Sequence, residues 1–147
     1  MKTGRPKLLL RMAAVVTALL ALGHTLGNPW TPEIGDGARS VIDAMARYRF
    51  DVEGMTRSYR DFYVGFGWML SAYLFGHAIM FWQLGAMAGA VRSGLRWLVC
   101  VLFVEGLALL ILSWAFLFLV PVVLNLAIVM LLGGAWWAMP ERANAAA

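Results

Sequence analysis

Long apolar segments alternate with short polar ones along this chain. The core of a lipid bilayer requires about 20 mostly apolar residues per helix, because every backbone polar group must then be satisfied within the segment. Four segments meet this requirement, at about residues 8–26, 62–90, 97–119 and 122–139. The pattern predicts an all-α fold, a transmembrane four-helix bundle that forms a single integral membrane domain over residues 1–147.

The junction between the last two predicted spans rests on one residue. The run from Trp97 to Met139 is almost unbroken in its apolar character, and it is long enough for two spans. Pro121 lacks an amide donor and disfavours helix at the residue before it. We therefore predict the tight turn of a transmembrane hairpin at Pro121, with one long kinked helix as the alternative.

A loop of residues 28–61 separates the first two spans. Within it, residues 38–50 have the pattern of an amphipathic helix at a membrane interface. The apolar face consists of Val41, Ile42, Met45 and Tyr48. Ser40, followed three residues later by Asp43, has the spacing of a capping box at the start of this helix. The loop is either a lid over an outward-facing cavity or a cover for the helix ends.

Composition supports the membrane assignment. Hydrophobic residues make up 62% of the chain and charged residues 14%, against about 45–50% and 25% in soluble domains. The net charge of +4 does not indicate a nucleic-acid partner, because most of the chain is too apolar to be solvated. The only cysteine, Cys100, excludes a disulfide within the chain and a multi-cysteine metal site.

Basic residues predict the orientation, since cytoplasmic loops are enriched in Lys and Arg. With four spans, seven basic residues lie on one side: Lys2, Arg5, Lys7, Arg11, Arg92, Arg96 and Arg142. Both termini are therefore predicted to be cytoplasmic and the loop of residues 28–61 exterior. Residues 1–23 also resemble a secretory signal peptide, and cleavage of this segment is the alternative.

Ionisable residues inside a membrane are costly and often functional. His77 and Glu105 are predicted to lie at similar depth, so they could form a pair that acts as acid and base or that holds two helices together. Ser113 and Asn125 flank the predicted hairpin at matching depth, which favours an interhelical hydrogen bond. His24 lies near the outer boundary, where it could contact the exterior loop or contribute to a pocket.

Cofactor and metal sites are not expected. The estimated depths of His24 and His77 differ by roughly 8–13 Å, whereas the two axial imidazoles of a haem must meet one iron. The chain also lacks the His-x-x-x-His and paired-cysteine spacings of zinc sites.

Three segments carry a resemblance to a known group. GHTLG at residues 23–27, RSYRDFYVGFG at 57–67, and LSW at 112–114 followed by Pro121 resemble an uncharacterised group of small bacterial integral membrane proteins with four predicted spans. The shared motifs cluster around His24 and around Asp61-Phe62-Tyr63, so the resemblance implies a multi-pass protein of the bacterial inner membrane with an outward-facing site near these residues. The residue types also resemble, as a chemical analogy only, those of the emopamil-binding family of sterol isomerases.

Three classes of function follow. The leading hypothesis is a non-enzymatic protein that binds lipid or a membrane partner, with the lipid bilayer and a membrane protein or second copy as partners. The first alternative is an intramembrane enzyme or binder that acts on an isoprenoid, sterol-like or lipid ligand, and the second is a proton or small-solute carrier. Catalytic candidates are His24, His77, Glu105 and Asn125, and ligand-binding candidates are His24, Tyr63, Ser113, Trp114 and Asn125.

Overall fold

The computed structural model describes residues 4–27, 36–88 and 94–139. It contains five helices and one two-stranded sheet in these residues. In chain order the elements are α1 (Gly4–Gly27), α2 (Asp36–Arg47), β1 (Arg49–Val52), β2 (Met55–Ser58), α3 (Tyr59–Met87), α4 (Leu95–Phe116) and α5 (Leu119–Ala138). The chain divides into two compact units, which we call the bundle unit (residues 1–20 and 74–147) and the interfacial unit (residues 21–73).

Four of the helices, α1, α3, α4 and α5, are long and apolar enough to cross a membrane. Their bounds agree with the four predicted spans to within a few residues, so the predicted all-α class with four spanning helices is confirmed. The protein is therefore a multi-pass integral membrane protein.

The core of the bundle unit is built from one face of each of its helices. Small residues, Ala13 and Ala14, lie on the buried face of α1, and the buried positions of α4 and α5 recur every three or four residues, as a helical seam requires. The buried cluster consists of Leu10, Ala13, Ala14, Phe81, Leu84, Leu95, Val99, Leu102, Ile128, Leu132, Ala135 and Met139.

The α4–α5 hairpin is present, but its turn is not at Pro121. Helix α4 ends at Phe116, where the Leu117 amide donates to the Ser113 carbonyl, and α5 begins at Leu119. Pro121 is the third residue of α5. The amides of the first helical turn have no partner within the helix, so proline costs no hydrogen bond there. The alternative of one long kinked helix is wrong.

In the interfacial unit, α2 confirms the predicted amphipathic helix in type, but it ends at Arg47. Residues 49–58 form an antiparallel β-hairpin that the sequence analysis did not predict. Its turn residues, Glu53 and Gly54, both have positive φ, 49° and 80°. This conformation matches the two-residue turns whose twist suits a hairpin, and glycine adopts it without steric cost.

A capping box exists, although not at the predicted position. Ser40 lies inside α2, where its hydroxyl donates to the Gly37 carbonyl at 2.7 Å. Instead, Ser58 caps α3. The Ser58 amide donates to Asp61 Oδ2 at 2.8 Å and the Asp61 amide donates to Ser58 Oγ at 3.2 Å. These reciprocal bonds satisfy amide groups that a helix start leaves without partners.

Candidate functional site

An open groove lies on the surface of the interfacial unit. Its volume is about 260 Å³. Phe62, Phe66 and Met69 lie four and three residues apart, which places them along one face of α3. Gly65 also lines the groove. A Cβ at this position would meet nothing within 4 Å, so a larger residue here would extend into open space. The lining residues are Arg57, Asp61, Phe62, Gly65, Phe66 and Met69.

Two opposite charges contribute to one end of this groove, and the β-hairpin holds one of them. The Arg57 guanidinium donates to the Thr56 carbonyl at 3.1 Å and to Met55 Sδ at 3.3 Å. Both acceptors are uncharged, and Arg57 forms no ion pair with a described carboxylate within 4 Å. Its positive charge therefore remains available to an anion.

Asp61 supplies the negative charge, just before the apolar part of α3. Its Oδ2 accepts hydrogen bonds from the Ser58 amide and the Ser58 hydroxyl, at 2.8 and 2.9 Å. The backbone bond, followed by the hydroxyl bond and the positive charges of Arg49 and Arg57, lowers the pKa of Asp61 below its usual 3.8. Oδ1 receives no hydrogen bond from the described residues, so one oxygen of a stable carboxylate can accept from a ligand.

A chain of aromatic rings runs beside the groove, and we call it the aromatic ladder: Tyr48, Phe50, Tyr59, Phe62 and Phe66. Tyr48 stacks on Tyr59 with a centroid distance of 5.7 Å, and Phe50 stacks on Phe62 at 5.9 Å with nearly parallel rings. The last contact joins Phe62 and Phe66 at 6.2 Å. Large exposed aromatic residues are typical of the boundary between water and lipid.

His24 lies in the interfacial unit, where it contacts α3. Its Nε2 lies 3.0 Å from the Gly67 carbonyl oxygen, so this nitrogen carries the proton. The next residue, Thr25, lies 2.9 Å from the Ser71 hydroxyl and 2.7 Å from the Ala21 carbonyl. These bonds join α1 to α3 at adjacent helical turns. They give His24 a structural contact, and it is not among the residues that line the groove.

The predicted His77–Glu105 pair is present in the bundle unit. His77 Nε2 lies 3.4 Å from Glu105 Oε2, and the imidazole packs edge-on against Phe81 with a centroid distance of 5.8 Å. The side chain of His77 is 19% exposed and that of Glu105 38%. The pair therefore joins α3 to α4, with part of the carboxyl group accessible at the surface of the unit.

The predicted Ser113–Asn125 contact is also present. Asn125 Nδ2 donates to Ser113 Oγ at 2.8 Å, which ties α4 to α5 beside their turn. Trp114 is 76% exposed, and Tyr63 is exposed on the surface of α3. Neither Tyr63 nor Trp114 lines the groove, so the ligand-binding candidates named from the sequence do not converge on it.

Two groove residues, Asp61 and Phe62, belong to the segment at which the resemblance placed an outward-facing site, but the other lining residues were not predicted. One signal was available, because Phe62, Phe66 and Met69 have the spacing of a single helical face directly after the charged Asp61. Arg57 lies two residues before α3, but the sequence does not show that its side chain lines the same groove as this face.

Comparisons with family models, with curated proteins and with solved structures give no match for this chain. Among the residues that the structure describes, no group of three His, Cys, Asp or Glu side chains could hold a metal ion. The groove offers a ligand one positive charge, one negative charge and an apolar wall.

Proposed function

We propose that this protein is a non-enzymatic integral membrane protein that binds a zwitterionic phospholipid in the groove of its interfacial unit. The observation that carries the proposal is the combination of Arg57 and Asp61 with the apolar wall formed by Phe62, Phe66 and Met69. A guanidinium suits a phosphate, and a carboxylate suits a primary ammonium. The headgroup of phosphatidylethanolamine carries both groups, and its acyl chain is apolar like the wall.

The size of the groove limits what it can hold. At about 260 Å³ it is smaller than the pockets that bury drug-sized ligands, which occupy about 300–1,000 Å³. It therefore accepts one end of a lipid, the headgroup and the first part of one chain, while the remainder stays in the bilayer. The aromatic ladder beside it would keep the groove at headgroup level.

Polar contacts elsewhere favour binding over catalysis. The catalytic candidates are used in contacts within the chain: His24 with the Gly67 carbonyl, His77 with Glu105, and Asn125 with Ser113. None of these residues lines the groove. Bonds of this kind join helices, which is the role that polar side chains commonly have in membrane proteins.

The membrane in which the protein lies, and its orientation there, are part of the same proposal. The distribution of Lys and Arg favours an orientation with residues 28–61 on the exterior side, and with it a groove at the outer leaflet of a bacterial inner membrane. The segments of residues 23–27 and 57–67 that resemble small bacterial membrane proteins support this location. A membrane partner or second copy is compatible with lipid bound in the groove.

The test is native mass spectrometry of the purified protein after incubation with phosphatidylethanolamine, with Arg57→Gln and Arg60→Gln compared. Both variants remove one positive charge, and the two positions are three residues apart in the sequence. Arg57 lines the groove, whereas Arg60 does not. We expect bound phosphatidylethanolamine to fall about tenfold in Arg57→Gln, the size of a lost hydrogen bond to a charged group, and to remain unchanged in Arg60→Gln.

Asp61→Asn tests the other half of the headgroup. It should weaken the binding of phosphatidylethanolamine relative to phosphatidylglycerol, because phosphatidylglycerol has no ammonium group for the carboxylate to recognise. Equal loss of lipid in Arg57→Gln and Arg60→Gln, or lipid binding that is independent of all three residues, would refute the proposed site.

Proton transfer by the His77–Glu105 pair is the second candidate function. The specific observation in its favour is that 38% of the Glu105 side chain is exposed, so a group carried by a lipid could reach the carboxyl. Lipid extracts from cells that produce the wild type, Glu105→Gln or His77→Gln distinguish the two functions. A lipid species that is made only with the wild type would favour the enzyme, whereas identical extracts favour binding alone.

A further inference from the structure

Arg11 is a charged residue in the apolar part of α1, beyond Arg5 and Lys7 at the start of the helix. It is the eighth residue of α1, which places its Cα about 10 Å along the helix axis from Gly4. Leu8 and Met12, on either side of it in the sequence, are exposed apolar residues that suit a lipid environment.

The guanidinium of Arg11 lies over an aromatic ring of α3. Its Cζ lies 4.7 Å from the centroid of the Trp82 ring, a cation–π arrangement. Gly85 of α3 faces the stem of the Arg11 side chain, because a Cβ at Gly85 would lie 3.2 Å from Arg11 Cγ. The absence of a side chain at Gly85 therefore lets the stem of Arg11 pass between the helices and place its head on the Trp82 ring.

No described residue accepts a hydrogen bond from the Arg11 guanidinium. Its Nε is buried and has no partner among the described residues, so a ligand would meet the two terminal nitrogens, Nη1 and Nη2, of this partly exposed side chain. Arg11 also forms no ion pair with a described carboxylate. The described acidic residues lie between residues 36 and 61, apart from Glu105, whose carboxyl group is bound to His77.

A second arginine of the bundle unit has a similar aromatic platform. The Cζ of Arg96, in the first turn of α4, lies 5.2 Å from the ring centroid of Trp136. A tryptophan ring stabilises a guanidinium at the edge of a bilayer but leaves its in-plane N–H groups directed outward. The unit thus places two arginine guanidinium groups, those of Arg11 and Arg96, over tryptophan rings.

We infer that Arg11, held on Trp82 beside Gly85, binds the phosphate of an anionic phospholipid. A guanidinium can donate two parallel hydrogen bonds to a phosphate, which would satisfy donors that the protein leaves without acceptors. The lipid source follows from the exposed apolar residues around the site, which lie where acyl chains would pack. This site is separate from the proposed groove, since it shares no residue with it and has no acidic residue to select an amine.

The experiment compares Arg11→Gln with Arg5→Gln in nanodiscs that contain phosphatidylcholine and phosphatidylglycerol, with the phosphatidylglycerol retained by the protein measured by native mass spectrometry. Both variants remove one charge near the start of α1, but Arg5 is exposed and has no cation–π contact among the described residues. Arg5→Gln therefore measures the general attraction of a positive charge for an anionic surface, which is worth about fivefold.

We expect Arg11→Gln to lower phosphatidylglycerol retention about 50-fold, because the general attraction, about fivefold, and the directed hydrogen bonds, about tenfold, are both lost. Arg11→Lys keeps the charge and loses the planar donor pair, so it should fall between the wild type and Arg11→Gln. This variant keeps the test decisive if Arg11→Gln does not fold. Trp82→Leu keeps the charge without its platform and should also lower retention.

Two results would overturn the inference. Equal losses in Arg11→Gln and Arg5→Gln, with Arg11→Lys like the wild type, would show attraction by net charge without a site. Displacement of phosphatidylglycerol by millimolar inorganic phosphate would show that the site binds a free anion and not a lipid. Loss of phosphatidylethanolamine from the Arg57 groove would leave this inference untouched, because each site has its own variants.

Discussion

Replacement of Gly85 by leucine should separate two membrane helices at one point of contact. A Cβ at Gly85 would lie 3.2 Å from Arg11 Cγ, 3.3 Å from the Lys7 carbonyl oxygen and 3.5 Å from Leu10 Cβ. The Arg11 side chain can move, but the Lys7 oxygen is backbone. A larger residue therefore has room only if α1 itself shifts away from α3.

The magnitude follows from two opposing terms. Overpacking of a close-packed contact costs about 1–3 kcal/mol, and leucine belongs at the upper end because the atoms beyond its Cβ also meet Lys7 and Leu10. Removal of a glycine from a helix interior recovers about 1 kcal/mol. We therefore expect Gly85→Leu to lower the free energy of unfolding by about 2 kcal/mol.

Gly76→Leu is the matched control, because a Cβ at Gly76 in the same helix would meet nothing within 4 Å. It should keep the favourable propensity term, about 1 kcal/mol, which gives a difference of about 3 kcal/mol between the two variants. Reversible unfolding in mixed micelles of a mild detergent and dodecyl sulfate, followed by circular dichroism, measures this difference. Equal stability of Gly85→Leu and Gly76→Leu would refute the close approach of the two helices.

Three further predictions concern the cap, the polar pair and the turn. Because the pKa of Asp61 is lowered, the hydrogen bonds between Ser58 and the Asp61 carboxylate should persist above pH 3.8 and be lost only as the pH falls through the lowered pKa. The amide resonance of Ser58 should shift in that pH range. In Asp61→Asn, which has no carboxylate to titrate, this shift should be absent. A double-mutant cycle of Asn125→Leu and Ser113→Ala, measured by the same unfolding assay, should give a coupling of about 0.6 kcal/mol and no more than about 1.7 kcal/mol. Gly54→Ala should destabilise the hairpin by about 1–2 kcal/mol, because its φ of 80° is unfavourable for alanine, and faster amide exchange in β1 and β2 would report this.

The four spanning helices could be predicted because they depend on a single physical requirement. A bilayer demands a minimum length of apolar helix, and that length is visible directly in the sequence. The exact residue at which a helix ends is less constrained by the bilayer, which is why the turn was predicted at Pro121 but lies just before it. Proline excludes itself from a helix interior but not from a first turn, so its position alone could not decide between the end of α4 and the start of α5.

The hairpin of residues 49–58 was missed for a different reason. Its strands are four residues long, and each carries charged side chains, so neither shows the alternation of a half-buried strand. Its turn, Glu53-Gly54, lacks the Asn-Gly or Asp-Gly pair that marks such turns most strongly. The pairing is supported by tertiary contacts, above all by Phe50 on Phe62, which no local pattern reveals.

Among the candidate functional residues, those that form polar contacts within the spans could be predicted from the sequence. Counting the rise per residue placed His77 level with Glu105, and Ser113 level with Asn125, and both contacts are present. The groove was not predictable in this way, because it depends on which side of α3 faces the hairpin. Depth in a membrane follows from sequence position alone, whereas rotation about the helix axis depends on what packs against it.

The use of hydrogen-bonding groups separates structural positions from binding positions in this molecule. Asn125 donates to another side chain of the same unit, and His77 shares its bond with a carboxylate, so their demands are met when the chain folds. Arg11 and Arg57 differ, since neither is paired with a described carboxylate. A guanidinium at a bilayer boundary gains most from a phosphate, which membranes supply in abundance. On the proposed function, a change in lipid composition should therefore change the occupancy of Arg11 and Arg57 and leave the Asn125 and His77 contacts unchanged.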